Sequence, residues 1–437
     1  MTESAERRIT SVSQAVPTAS LPTVLSIVAY AAAKIGPAII MLAAIPFWAR
    51  ALGAQEYGLY SIMWAAALLS TSLAVGWIRQ STLRYAGQAA NAVEQLPRKA
   101  MLICCVLGIV PTLVVLAAQL NVGDYRHGLL TGMAVAIFTF LSGIYVIEQA
   151  RLQRDEKGAR FMFAEVARIA ITVLLTVSVH VLSPSSGAWV ILLSFSLGTL
   201  VALRIVRGGI PRTVRISPTN SSVVLRKYWS FGWPIGIWLG LSAVFVYADR
   251  LLISIIIGPE QAGVYASVAD MIVRGIAMLS FPLTMVSHPR IMRAFNRGDG
   301  VVALSINRRY SAYVLVSGFI VTAVGSLVGP AVLKYLLGTI PENVLVIPLL
   351  VAGASVWQLA LMTHKPLEML NRTKLMIALL AGATALSTAA SIALMPRFGI
   401  IVPAAAFCFG AVLYAASTLV LGRYLRPQIS LGRGVGR

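Results

Sequence analysis

Acidic residues are scarce in this chain. Fifteen Asp and Glu face 36 Lys and Arg in 437 residues, and charged residues of both signs make up only 12%. That is too little polar surface to coat a soluble globule, where about a quarter of residues are charged. Cysteine is almost missing. Cys104, Cys105 and Cys408 all fall in apolar runs, which excludes a disulfide framework, and they read as small core residues. The histidines His127, His180, His288 and His364 are scattered, with no H-E-x-x-H pattern and no neighbour at metal-ligand spacing, so no metal is expected. No Gly-Lys dipeptide occurs, hence no phosphate-cradling loop of the nucleotide-hydrolase type, and no ATP-driven step is expected. The polar start, residues 1–20, lacks an apolar core followed by a small-residue cleavage pattern and is expected to be a cytoplasmic tail.

What the chain has instead is apolar length: 58% hydrophobic residues and a mean hydropathy of +0.82. A spanning helix needs about 20 mostly apolar residues, and lipid offers the backbone no partners, so helices are the expected element. Apolar windows broken at Gly, Pro and charge clusters give twelve spans. The first six are 21–52, 58–78, 100–119, 128–147, 161–182 and 187–206. The second six are 229–257, 262–286, 311–330, 345–364, 375–395 and 400–421. Leu52-Gly53-Ala54-Gln55-Glu56-Tyr57-Gly58-Leu59-Tyr60 recurs 205 residues later as Ile257-Gly258-Pro259-Glu260-Gln261-Ala262-Gly263-Val264-Tyr265. Each copy joins the first two spans of its half. The expected fold is therefore an all-α integral membrane protein of about twelve helices, in two six-helix pseudo-repeats around a central cavity. Its parts are a tail (1–20), an N-terminal lobe (21–206), a cytoplasmic linker (207–228), a C-terminal lobe (229–421) and a basic tail (422–437).

The net charge of +21 would suggest nucleic acid in a soluble protein. Here its distribution decides. Only Arg50, Arg126, Lys334 and Arg397 fall on one face, four lie inside spans, and the remaining 28 basic residues fall on the face that carries both termini. Lys and Arg concentrate on the cytoplasmic side, so both termini are expected there, in the bacterial inner membrane, and the partners are membrane lipids and no nucleic acid.

The basic residues inside spans are Lys34, Arg168, Arg250 and Arg274; the acids in or near spans are Glu148, Glu165, Asp249 and Asp270. Each costs at least about 2.5–3.5 kcal/mol at membrane depth, so each is expected to face a wet cavity or a partner. Lys34 precedes Gly36-Pro37 and has no acid at positions 30, 31, 37 or 38; it reads as a cavity cation, with snorkelling or an interhelical pair as the alternative. Asp249 and Arg250 point about 100° apart on a helix and are not expected to pair with each other; cavity lining and interhelical bridging are both open. Asp270 and Arg274, four apart, share a face and can neutralise one another, or Asp270 can carry a coupling ion. Glu165 and Arg168 read as an interfacial pair at the start of the fifth span. Gly232, Gly236 and Gly240 form a small-residue stripe suited to close helix packing.

These motifs carry a resemblance. Phe47-Trp48-Ala49-Arg50-Ala51-Leu52-Gly53-Ala54-Gln55-Glu56-Tyr57-Gly58-Leu59-Tyr60 resembles the first-to-second helix junction of Wzx-type polysaccharide exporters, within the multidrug/oligosaccharidyl-lipid/polysaccharide exporter superfamily. Val75-Gly76-Trp77-Ile78-Arg79 and Thr82-Leu83-Arg84-Tyr85 look like the stretch that follows. Ala248-Asp249-Arg250-Leu251-Leu252, Gly263-Val264-Tyr265, Phe281-Pro282 and Pro289-Arg290 are similar to the matching part of the second half. The resemblance implies two six-helix lobes, a V-shaped cavity, alternating access and an undecaprenyl-pyrophosphate-linked oligosaccharide as cargo. It also implies work alongside polysaccharide polymerase or export machinery. Lys34, Arg250 and Arg274 would then bind the pyrophosphate, and Asp249 or Asp270 would couple transport to H+ or Na+; no other cofactor is expected. Two rivals stand beside this: a multidrug cation exporter of the same superfamily, which needs an acidic cavity, and a membrane glycan polymerase or ligase, which needs a large outer loop.

Overall fold

The computed structural model describes residues 21–84, 98–120, 128–155, 157–184, 186–208 and 221–430, with backbone alone for 21–34, 84, 98–101, 118–120, 221–224, 227 and 285. Among the described residues all regular structure is helical. The N-terminal lobe holds α1 (Leu21–Arg84), α2 (Arg98–Leu107), α3 (Ile109–Leu120), α4 (Gly128–Arg154), α5 (Gly158–Leu182) and α6 (Trp189–Arg207). The C-terminal lobe holds α7 (Ser221–Ile256), α8 (Pro259–Asn296), α9 (Gly300–Leu337), α10 (Val346–Thr363), α11 (Lys365–Met369), α12 (Thr373–Phe398) and α13 (Ile401–Ser430). Among the described residues ten helices are long and apolar enough to cross a membrane; α1 is two spans in one, and α2 with α3 supplies a shorter one, which makes twelve. The chain is a multi-pass membrane protein. Exposed Leu315, Phe319, Ile320, Val324 and Leu327 along α9 are the face such a protein turns to hydrocarbon.

The repeated motif does its work at two glycines. Gly53 (φ 74°) turns α1 back on itself within one residue, so no loop separates the first two spans as expected from sequence. Gly258 (φ 140°) breaks α7 from α8, with Pro259 at the first helical position. A side chain rarely adopts either conformation, and proline suits a helix start because its missing N–H has no partner there. The two copies then meet. A Cβ on Gly58 would lie 2.9 Å from Gly263 N and 3.1 Å from Pro259 O, while one on Gly263 would lie 1.6 Å from Ala54 O. Ala54 and Pro259 hold equivalent places in the repeat, as do Gly58 and Gly263. The contact is thus reciprocal, as across a two-fold axis.

The cores show how the lobes diverge. Near the junctions one continuous core joins both lobes, from Trp48, Tyr57 and Phe195 to Phe245, Tyr265 and Trp357. At the opposite, basic end the cores separate into Tyr145, Leu152 and Phe161 in one lobe and Ile291, Phe295 and Ile429 in the other. One seam stays shut along its length. Gly232 and Gly240 of α7 press on Trp77 O and Leu73 of α1, where a Cβ would stand at 2.3 and 2.7 Å. Trp77 and Trp229 meet edge to face at 5.3 Å, and the Ser81 hydroxyl donates to Tyr228 O at 2.8 Å. The glycine stripe is therefore a packing surface between lobes.

Candidate functional site between the lobes

On the other seam the lobes part. A cavity of about 310 Å³ lies among Ile35, Pro37, Ala38, Met41 and Trp64 of α1, Glu165, Arg168 and Ile169 of α5, and Arg274, Ala277, Met278 and Phe281 of α8. The α8 contribution follows helical spacing, 274, 277, 278 and 281, which turns one stripe of that helix to the opening. Its charged lining is two arginines and one carboxylate. Arg274 rests over the Trp64 ring at 5.4 Å, and Arg168 over Tyr145 at 5.4 Å. Arg168 Nη2 donates to Glu165 Oε2 at 3.0 Å. The Nε–H groups of both arginines are buried without a hydrogen-bond partner. Cations at membrane depth are costly unless a counter-charge or water reaches them.

Towards the junctions a second layer of charge is sealed. Arg250 is fully buried, 0% exposed, and does not line the cavity. Its Nη2 donates to Asp270 Oδ1 at 2.8 Å and its Nη1 to Asp249 Oδ1 at 3.1 Å. The Arg250 backbone N–H also donates to Asp249 Oδ1, at 2.9 Å. This corrects the expectation that sequence neighbours cannot pair: the aspartate folds back on its own backbone and meets the guanidinium there. Tyr247 lies beneath the Arg250 guanidinium at 4.6 Å, and the Tyr265 hydroxyl donates to Asp249 Oδ2 at 2.7 Å.

Asp270 reaches across the lobe boundary. From α1, the Tyr57 hydroxyl donates to its Oδ2 at 3.0 Å and Ser61 at 3.1 Å. Arg274 Nη2 stands 3.9 Å from the same oxygen, so the i,i+4 pair exists but is the looser of the two arginine contacts. Asp270 is thus a clasp between lobes, and Arg274 stands between clasp and cavity. At the rim, Arg50 of α1 donates to Tyr335 O in the last turn of α9, where helix carbonyls favour a cation.

Of the expected residues, Asp249, Arg250, Asp270 and Arg274 come together in one network, while the Lys34 side chain lies outside the described residues. Sequence reasoning placed Glu165 and Arg168 at the membrane surface; the structure puts both on the cavity wall. It did not find Tyr57, Ser61 or Tyr265, whose hydroxyls carry no period or charge that marks them. Among the described residues no group of three or more His, Cys, Asp or Glu is arranged to hold a metal ion.

Two helical lobes hinged at duplicated junctions, with an arginine-lined cavity between them, define a membrane carrier. Residues 24–295 match the model of the family described as "Polysaccharide biosynthesis protein", and the chain belongs to that family. Its fold is that of the multidrug/oligosaccharidyl-lipid/polysaccharide exporter superfamily. An inward-facing multidrug resistance transporter of the MATE family aligns with TM-score 0.66 at 12% identity, covering 90% of this chain and 95% of its own. A superfamily transporter from Pyrococcus furiosus, described as having a binding pocket of reverse polarity, aligns at 0.65 and 15%, covering 93% and 96%. An outward-facing MATE transporter aligns at 0.63 and 13%, covering 92% and 96%. No curated protein sequence matches the chain.

Proposed function

We propose that this membrane exporter carries an undecaprenyl-pyrophosphate-linked oligosaccharide from the cytoplasmic to the outer leaflet of the bacterial inner membrane, by alternating access, with both termini cytoplasmic. The observation that carries this reading is the cavity wall, where the partly exposed Arg168 and Arg274 face one carboxylate, Glu165, which is already bonded to Arg168. A pyrophosphate is a compact polyanion, and one charge pair at about 4 Å is worth about 4 kcal/mol at an effective dielectric near 20. The apolar remainder of the wall suits sugars and isoprenoid poorly hydrated on one side. A lateral route from this cavity, between helices of the two lobes, would let the lipid tail stay in the bilayer while the headgroup crosses. Arg250 serves this site at one remove, by holding the Asp270 clasp.

A cation exporter would present a carboxylate to the cavity. Here the cavity carboxylate Glu165 is paired with Arg168, and Asp249 and Asp270 are engaged by Arg250 and by tyrosine hydroxyls. The test is transport of a labelled polyprenyl-pyrophosphate oligosaccharide in vesicles. Arg274→Gln and Arg168→Gln should each lower the rate about 10- to 150-fold, the loss of one charge-assisted contact of about 1.5–3 kcal/mol. Parent-like transport by both variants, or none by the parent, would refute the assignment.

A further inference from the structure

Away from the cavity, at the basic end of the C-terminal lobe, three bases converge on one acid. Glu368 of α11 accepts from Lys365 Nζ at 2.6 Å, lies 3.4 Å from His364 Nε2 at the end of α10, and 3.7 Å from His288 Nδ1 of α8. These three basic groups face the carboxylate from α8, the end of α10 and α11. On its far side, His364 Nδ1 lies 3.4 Å from the Tyr414 hydroxyl of α13. Tyr414 in turn accepts from Trp238 Nε1 of α7 at 3.1 Å, and the Trp238 ring stands edge-on to His364 at 5.1 Å.

Donor chemistry orders this row. Indole only donates, so the Tyr414 oxygen accepts from Trp238 and has its own proton to give. The acceptor in reach is His364 Nδ1, which must then be bare. The ring proton sits on Nε2, facing the carboxylate. Every member is satisfied with a neutral imidazole. A second proton would place N–H on Nδ1, opposite a hydroxyl already pointing at it, and the Tyr414 bond would have to reverse. The joint disturbed in this way ties α10 and α11 to α13 and to α7, the helix whose glycines pack on the other lobe. Water has a route in, since the His288 side chain is 50% exposed and that of Glu368 26%, while that of His364 is 2% exposed. His288 lies seven residues beyond Phe281 on α8, two turns along the cavity stripe and on the same face.

We propose that His364, with Glu368, is a proton-binding site through which a proton gradient acts on the lobe contact of α7. What the proton drives rests on the exporter reading; the site itself does not. The experiment follows tryptophan fluorescence of the full-length protein between pH 5 and 8, the range where histidine changes charge. An imidazolium against an indole quenches it, and subtracting the Trp238→Phe variant isolates the Trp238 signal. The parent should show one reversible transition, absent in His364→Asn. In Glu368→Gln, which leaves the imidazole in place should the first variant fold badly, it should fall about one pH unit lower, as expected on removing a carboxylate from a histidine's N–H. The same pH step should change the distance between spin labels at Ser183 and Glu342, one on each lobe, in the parent and not in His364→Asn. A flat parent titration, a transition surviving His364→Asn, or a transition with unchanged label distances would overturn the proposal. None of these readouts involves the cargo, so a failure of the lipid-linked oligosaccharide assay leaves them intact.

Discussion

Alanine at Gly263 asks whether the junctions are where the lobes close. Its Cβ would lie 1.6 Å from Ala54 O and 2.4 Å from Ala54 C, backbone atoms of the other lobe that cannot rotate aside. Ordinary contact begins at 3.4 Å, so the lobes must part by about 1.8 Å at that point. Overpacking of this kind costs about 1–3 kcal/mol, which disfavours the closed junction by a factor of about 5 to 150. Gly58→Ala is the graded companion, because its Cβ meets Gly263 N at 2.9 Å and falls short of contact by far less. Gly275→Ala on α8 is the control: nothing lies within 4 Å of its Cβ. Pulsed electron spin resonance between labels at Ser183 and Glu342, both exposed at the junction end, reads the separation directly. Longer distances should gain population in the order Gly263→Ala, then Gly58→Ala, with Gly275→Ala unchanged. If Gly263→Ala matches its control while folding normally, the glycine contact does not set lobe closure and the hinge argument fails.

Asp270→Asn should lower the thermal unfolding temperature of the purified protein sharply, since removing one partner of a buried ion pair costs about 3–5 kcal/mol and Arg250 would keep only Asp249. Gly232→Ala should destabilise more than Gly236→Ala, because the first Cβ stands 2.3 Å from Trp77 O and the second 3.3 Å from Trp77 N; differential unfolding of the two variants checks the order. Arg50→Gln should add longer distances to the same spin-label pair, by loosening the tie between α1 and the last carbonyls of α9, and leave thermal stability within about 0.5 kcal/mol, as at other exposed sites.

Helix number and the hinge were legible because each rests on a strong local cause. Twelve apolar windows follow from the solvent, and the glycines of the repeat follow from backbone conformations that side chains rarely adopt. Depth was less legible. Arg168 lies within three residues of Glu165, and a pair so close in sequence looks self-sufficient at an interface. Only the packing of α5 against α1, with the cavity opening between them and α8, shows that the same pair lines the cavity. The Asp249 and Arg250 contact was invisible for a related reason: helical wheel angles describe Cβ directions, and a guanidinium on a long stem reaches round them. The histidines illustrate the opposite limit. His288 and His364 are 76 residues apart, and nothing in the intervening sequence brings them to one carboxylate.

The duplication and the charges point to a division of labour between the halves. The hinge is shared, with Gly53 and Gly258 turning the chain and Gly58 and Gly263 meeting at the axis. The ionic network is not shared. The positions 205 residues before Asp249, Arg250, Asp270 and Arg274 are Ala44, Ile45, Ala65 and Leu69. A perfectly repeated pair of lobes would place the same groups on both sides of the seam. Here the C-terminal lobe alone supplies the clasp acid, and the N-terminal lobe answers with neutral hydroxyls, Tyr57 and Ser61. Opening the junction strips Asp270 of those two donors and leaves it to Arg250 and Arg274, the second of which lines the cavity. An anion that engages Arg274 competes with Asp270 for the same guanidinium. On the proposed function, occupancy of the cavity and closure of the junction would be coupled through that one side chain, a coupling the symmetric part of the fold does not supply.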